Sequence, residues 1–198
     1  MDGRAWSTPE LLTYPSKRRP QHLHEFIRYP RGFVACNFSA VATTKRPDQL
    51  PRFSPFSIPL RENTIRTGFP RFAFDDAGGC HAVIRTGMQV SYSYGTSMVD
   101  TWRQAEPVAE VSTPAQHFFQ RLVIDGKRAA LIFVDNGQTR IRTGKVTDEG
   151  PIEFLDERAS EQVWTDMPMF RDGDRLVAVV GAPSRQLQIL ELSELFGD

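Results

Sequence analysis

The stretch FFQRLVIDGKRAALIFV, residues 118–134, decides how this chain is read. Two runs rich in Leu, Val, Ile, Phe and Ala flank Asp125-Gly126, a dipeptide that favours the tight turn of a β-hairpin. The same arrangement recurs in HEFIRYPRGFVACNF (24–38), PRFAFDDAGGCHAVI (70–84) and MPMFRDGDRLVAVV (167–180). The turn glycines are Gly32, Gly78, Gly126 and Gly173, separated by 46, 48 and 47 residues. A near-constant period of that size marks a repeat architecture in which each unit is a hairpin-based sheet.

Further strands follow each hairpin. MQVSYSY (88–94), TRIRTGKV (139–146) and RQLQILEL (185–192) are expected as third strands, and segments 99–108 and 150–156 as fourth strands. Long helical periodicity is absent, and only SELFGD (193–198) is suited to a turn of helix. The expected fold is therefore all-β: a β-propeller of four units of about 47 residues, each a four-stranded antiparallel blade. The blades span roughly 20–62, 63–110, 111–157 and 158–195, the last joined by 3–12, in one domain over 1–198.

Trp102 lies 24 residues after Gly78, in an expected outer strand, whereas the same step from Gly173 reaches the end of the chain. Residues 3–12, with Trp6, stand in register to supply that missing strand and close a four-bladed ring. The alternative is an arc of a larger propeller. The first unit fits least well: proline-rich 41–62 reads as edge strand or loop, and SKRRP (16–20) as an exposed loop.

Lys plus Arg and Asp plus Glu both number 24, so no chain-wide field favours nucleic acid or an anionic membrane. Residues 1–62 nevertheless carry ten basic and five acidic groups, and 145–198 five basic and twelve acidic. Cys36 and Cys80 fall in expected buried strands, as free thiols or as one disulfide, and neither has metal-type spacing. The apolar runs AALIFV and LVAVV are too short to cross a bilayer, and the start lacks a signal-peptide pattern. The chain as written is expected in the cytoplasm, or secreted if its natural start lies upstream.

DGRAWSTPELL (2–12) resembles the BNR or sialidase-like propellers, whose blades often carry an Asp-box ending in Thr-Trp; Asp2, Gly3 and Trp6 suit its second half. SYSYGTSMVDTWRQAEPV (91–108) keeps Ser93, Thr101 and Trp102 without the Asp and Gly register. FPRFAFDDAGGCHAVIRTG (69–87) is similar to blades of polysaccharide-acting members. The resemblance implies a saccharide ligand and a glycosidase or polysaccharide lyase. The family's Phe-Arg-Ile-Pro motif and Tyr/Glu pair have no counterpart here, so catalytic residues do not carry over.

In a propeller the innermost strand of each blade lines the central channel. Seven to nine residues before each turn glycine lie His24 and Glu25, Arg71, His117, and Trp164 with Asp166. Glu25 and Asp166 are the carboxylates suited to acid, base or nucleophile roles. His24, Arg71, His117 and Trp164, together with Arg85 at the end of a second strand, suit substrate binding by charge, hydrogen bonding and stacking. His22 and His24 would share a strand face, but spacing supplies no third metal ligand, and no cofactor motif is present. Three functions are open: a glycan-cleaving enzyme, a non-catalytic carbohydrate-binding propeller, and a protein-interaction scaffold. IRTG occurs at 65–68, 84–87 and 141–144, at unequal distances from the turn glycines, and reads as strand-end composition. Tyr92, Tyr94 and Trp102 read as packing between blades.

Overall fold

The computed structural model describes residues 25–29, 32–36, 40–44, 54–55, 57–62, 64, 68, 70–98, 102–112, 120–160, 169–172, 175–180, 186–191 and 195–196. These form fifteen strands in four consecutive antiparallel sheets, with a two-residue helical turn at 195–196. The first sheet holds β1 (Glu25–Tyr29), β2 (Gly32–Cys36), β3 (Ala40–Thr44) and β4 (Ser54–Pro55). The second holds β5 (Arg71–Phe74), β6 (Cys80–Thr86), β7 (Gln89–Gly95) and β8 (Glu106–Glu110). The third holds β9 (Gln120–Asp125), β10 (Arg128–Asp135), β11 (Gln138–Val146) and β12 (Ile152–Ala159). The fourth holds β13 (Met169–Asp172), β14 (Arg175–Val180) and β15 (Gln186–Glu191). Every strand pairs with its sequence neighbour, so each sheet is a meander.

The expected hairpins are all present. Tyr29 pairs with Gly32, Asp125 with Arg128 and Asp172 with Arg175, each across two residues, whereas Phe74 pairs with Cys80 across a five-residue loop. In the third sheet Gly126 takes φ 58° at the first central position of its turn, where a side chain would be strained. Asn136 (φ 47°) and Gly137 (φ 76°) form a second tight turn, between β10 and β11.

The middle strands β6 and β10 are buried nearly throughout, because each packs into a core on both of its faces. Along β6, Cys80, Ala82 and Ile84 pack with Val34, Ile58, Phe72, Met98, Trp102 and Ala105 in a core between the first and second sheets. The intervening Val83 joins Val90, Tyr92 and Tyr94 of β7 and Leu122, Ala129, Leu131 and Phe133 of the third sheet in a second core. Alternate residues of β10, Ala130 and Ile132, turn to a third core with Ile141 and Leu195. One strand thus serves two cores through the two-residue alternation of its side chains. The outer strand β12 changes character: after buried Ile152 it runs largely exposed and charged, which guards the sheet edge against pairing with other chains.

Several expectations shift. The outer strand of the second sheet begins at Glu106, and Trp102 precedes it, making an isolated bridge to Gly95. Trp102 is therefore a packing residue: its ring lies 5.9 Å from that of Phe72, and its indole N–H donates to the Met98 carbonyl at 3.1 Å. The proline-rich part of the first unit yields β3 and the two-residue β4, as edge strand and loop suggest. The fourth sheet has three strands among the described residues, and the expected closing segment 3–12 lies outside them. Cys80 is a buried free thiol, while the Cys36 side chain lies outside the described set. Two copies of IRTG are confirmed as inequivalent: 84–87 ends β6, whereas 141–144 lies within β11 and ends at an irregularity in its pairing with β12.

Candidate functional site

The first strands of the second and third sheets, β5 and β9, are neighbours, so the two sheets meet along their innermost strands. Arg71 opens β5 opposite Val83, and Arg85 stands two residues further along β6, opposite Val90. Val83 and Val90 both belong to the core between second and third sheets, so register puts Arg71 and Arg85 on the face toward the third sheet. From that sheet, Gln120 lies opposite Phe133 of the same core, and Asp135 follows two residues later on β10. Two arginines, a glutamine and an aspartate thus converge at the end of this seam that carries the β6–β7 and β10–β11 turns.

Their environments differ. Arg71 is half-buried, whereas Arg85 is buried and its Nε–H donates to the Gly87 carbonyl at 3.1 Å. Burial pulls the Arg85 guanidinium below its ordinary proton affinity, and the negative charge of Asp135 opposes that shift. The Asp135 carboxylate accepts from the Ser112 backbone N–H at 2.7 Å and from its hydroxyl at 2.8 Å, tying the segment after β8 to the third sheet. Gln120 is buried. Beneath this end, Thr86 and Ser91 share a hydroxyl–hydroxyl hydrogen bond of 2.7 Å.

The opposite end of the same seam holds a second polar constellation. The His81 ring is fully buried; its Nε2 lies 3.1 Å from Asp75 Oδ2 and its Nδ1 2.8 Å from the Tyr92 hydroxyl. The Tyr92 oxygen accepts from the Ile152 backbone N–H at 2.9 Å, across the seam. The other Asp75 oxygen accepts from the Gly79 N–H at 2.7 Å. One proton arrangement satisfies every atom: neutral His81 donates from Nε2 to Asp75 and accepts at Nδ1 from the Tyr92 O–H. Burial holds the His81 imidazole below its ordinary pKa despite the hydrogen bond and charge of Asp75. Burial likewise raises the Tyr92 phenol, so both groups are neutral at ordinary pH.

An Asp–His–hydroxyl series resembles the geometry that activates a nucleophile. Here its hydroxyl is used in both directions and is buried beneath the third sheet, with no face left for a substrate. The packing is equally tight around it: a side chain at Gly79 or at Gly150 (φ 103°) would meet the Tyr94 ring or hydroxyl. Arg103 stacks over Tyr94, 5.4 Å from the ring centre. This constellation is a structural staple between sheets.

Of the residues expected from sequence to form the site, the structure brings Arg71 and Arg85 to one face and one end. Glu25 opens β1 opposite Cys36, with its side chain outside the described set. His24, His117, Trp164 and Asp166 lie outside the described residues. Counting back from glycines also misaligned the repeats. Gly32 follows its turn, whereas Gly126 is the first residue within its turn. Relative to the pair that closes each turn, Glu25 corresponds to Arg121, and His117 lies before β9 begins. Gln120, Asp135, Ser112 and the Asp75–His81–Tyr92 series went unread; pairing register is the signal that finds them. Among the described residues no cluster of His, Cys, Asp or Glu could hold a metal ion, and no helix is long and apolar enough to cross a membrane.

This architecture is similar to that of a solved structure. A candidate 6-phosphogluconolactonase from Bacteroides uniformis superposes over 86% of this chain and 50% of its own, with TM-score 0.56 and 16% identity. The fold is propeller-like. A Lactobacillus plantarum protein matches at TM-score 0.47 and 14% identity, over 88% of this chain and 57% of its own. A polysaccharide lyase matches at TM-score 0.41 and 13% identity, over 81% and 39%. This chain thus spans about half the length of the first of these. No family model matches it, and no curated protein does.

Proposed function

We propose that this chain is a saccharide-directed propeller of the sialidase-like kind, with its ligand at the end of the seam between second and third sheets. One observation carries this reading: Arg71 and Arg85 share a face and oppose Gln120 and Asp135. A half-buried guanidinium at the rim, backed by a buried one, suits the carboxylate or phosphate of an acidic sugar. An amide and a carboxylate nearby suit its hydroxyls. The fold shared with a candidate 6-phosphogluconolactonase supports a sugar-derived ligand. Arg71 acts as the direct contact and Arg85 as its support, with His24, His117 and Trp164 as further binding groups. Turnover by hydrolysis or elimination falls to Glu25 and Asp166.

Binding without turnover is the second reading. It is favoured by the closed Asp75–His81–Tyr92 series, which spends on structure the one described constellation with catalytic chemistry. For the ring, superposition on half of a longer chain supports an arc of a larger propeller over a closed four-bladed ring completed by 3–12.

Calorimetry of the full chain against a panel of acidic and neutral sugars, with turnover assayed in parallel, tests the proposal. An acidic sugar is expected to bind, and Arg71→Ala to weaken it by about ten-fold or more, the scale of a lost charge-assisted hydrogen bond. Loss of turnover with affinity retained in Glu25→Gln and Asp166→Asn establishes the enzyme. Binding without turnover in the unaltered chain establishes the second reading. A panel that binds nowhere, or binds Arg71→Ala unchanged, removes the site.

A further inference from the structure

We propose that Asp75, His81 and Tyr92 form an acid-sensitive latch that holds the third sheet on the second at neutral pH and releases it when His81 gains a proton. The inference is independent of any ligand at the other end of the seam.

The geometry makes the latch specific to one protonation state. The Asp75 carboxylate at Nε2 accepts, so the single N–H of a neutral His81 lies on Nε2 and Nδ1 must accept the Tyr92 proton, while the Tyr92 oxygen accepts from the Ile152 N–H. A proton on Nδ1 turns that acceptor into a donor facing a hydroxyl whose own proton then loses its partner. The imidazolium would also be a charge in a fully buried position, with Asp75 as its neighbouring carboxylate.

The groups around His81 leave little other compensation. The β5 end and its turn present Asp75, and β7 presents the phenols of Tyr92 and Tyr94, the latter ring 5.2 Å away. Arg103, stacked on Tyr94, brings a positive charge that opposes a second one. Cys80 belongs to the core on the sheet's other face. The third sheet presents the Ile152 N–H and the edge of Phe154, whose ring meets that of Tyr92 at 5.3 Å.

The direction of the response follows from linkage. Burial lowers the His81 proton affinity in the closed chain, so an opened seam, with an ordinary imidazole, takes up a proton first. Opening becomes easier as pH falls below about 6.5, and the effect ends where the closed form also protonates.

Amide hydrogen exchange at Ile152 in the full chain, corrected for the intrinsic pH dependence of exchange, tests the latch. Between pH 6.5 and 5 the Ile152 amide is expected to lose protection by up to about ten-fold per pH unit, the response to one proton. Leu131, inside β10, is expected to keep its protection. His81→Gln, whose amide can donate to Asp75 and accept from Tyr92, is expected to abolish the pH response. Ile152 protection that is flat with pH, or an equal acid response in His81→Gln, overturns the proposal. Should that variant not fold, nitrogen shifts of the His81 ring in the unaltered chain decide. The latch requires the neutral Nε2–H tautomer at pH 7, and the Nδ1–H tautomer or an imidazolium there overturns it.

Discussion

The two described seams between neighbouring sheets are closed by different chemistry, although β6 contributes to both. Between the first and second sheets, Trp102, Phe72, Ile84, Met98 and Val34 close an apolar contact. Its buried indole N–H is satisfied by the Met98 carbonyl four residues away in the chain. Between second and third sheets, an apolar centre is flanked by Arg85 with Asp135 at one end and by the His81 series at the other. Apolar burial gives adhesion with little directional preference. A hydrogen-bonded series admits one register and one protonation state. From the described residues, the first seam is therefore expected to resist pH and the second to answer to it.

The comparison breaks most sharply at Trp102. Replacing it by Ala removes the largest ring of the first seam, and a loss of about 3–5 kcal/mol is expected by denaturant titration. The same loss should appear at pH 5 and pH 8; a strong pH dependence would mean that this seam too contains a titrating contact. Tyr92→Phe keeps most packing in the second seam but strips the hydroxyl from His81 Nδ1 and the Ile152 N–H. About 1–3 kcal/mol should be lost at pH 8, where both partners are left buried and unpaired. The loss should shrink toward pH 5, because the unaltered chain is itself weakened there. A constant loss at both pH values would separate the hydroxyl from the protonation of His81. Smallest is the exposed Arg61–Glu106 ion pair beside the first seam. Arg61→Ala should change stability by at most about 0.5 kcal/mol, and less in high salt. A larger effect would show that this rim carries structure.

How much of this was legible depends on how local each signal is. The four hairpins were readable because Asp-Gly turns and apolar runs act within a dozen residues. So was the burial of Tyr92, Tyr94 and Trp102, large rings in units that must stack on one another. Arg71 was found as a first-strand residue, and Arg85 as the end of a second strand. The third sheet's matching residue was missed because glycine occupies a different place in each turn: inside it at Gly126, after it at Gly32. The longer loop from Asp75 to Gly79 hid the relay for a related reason. Its length lets Asp75 fold back onto His81, six residues on, and strand alternation alone gives no hint of that contact.

By itself, the sequence determined an all-β chain of repeated hairpins, because turn geometry, side-chain alternation and period are properties of neighbouring residues. Only the tertiary structure decided which polar groups meet: Arg71 and Arg85 opposite Gln120 and Asp135, and Tyr92 against Ile152, sixty positions away. Those meetings depend on the register of one sheet upon the next. Register between sheets is set by the fit of whole faces, and an interchangeable run of Val, Ile and Leu does not encode it.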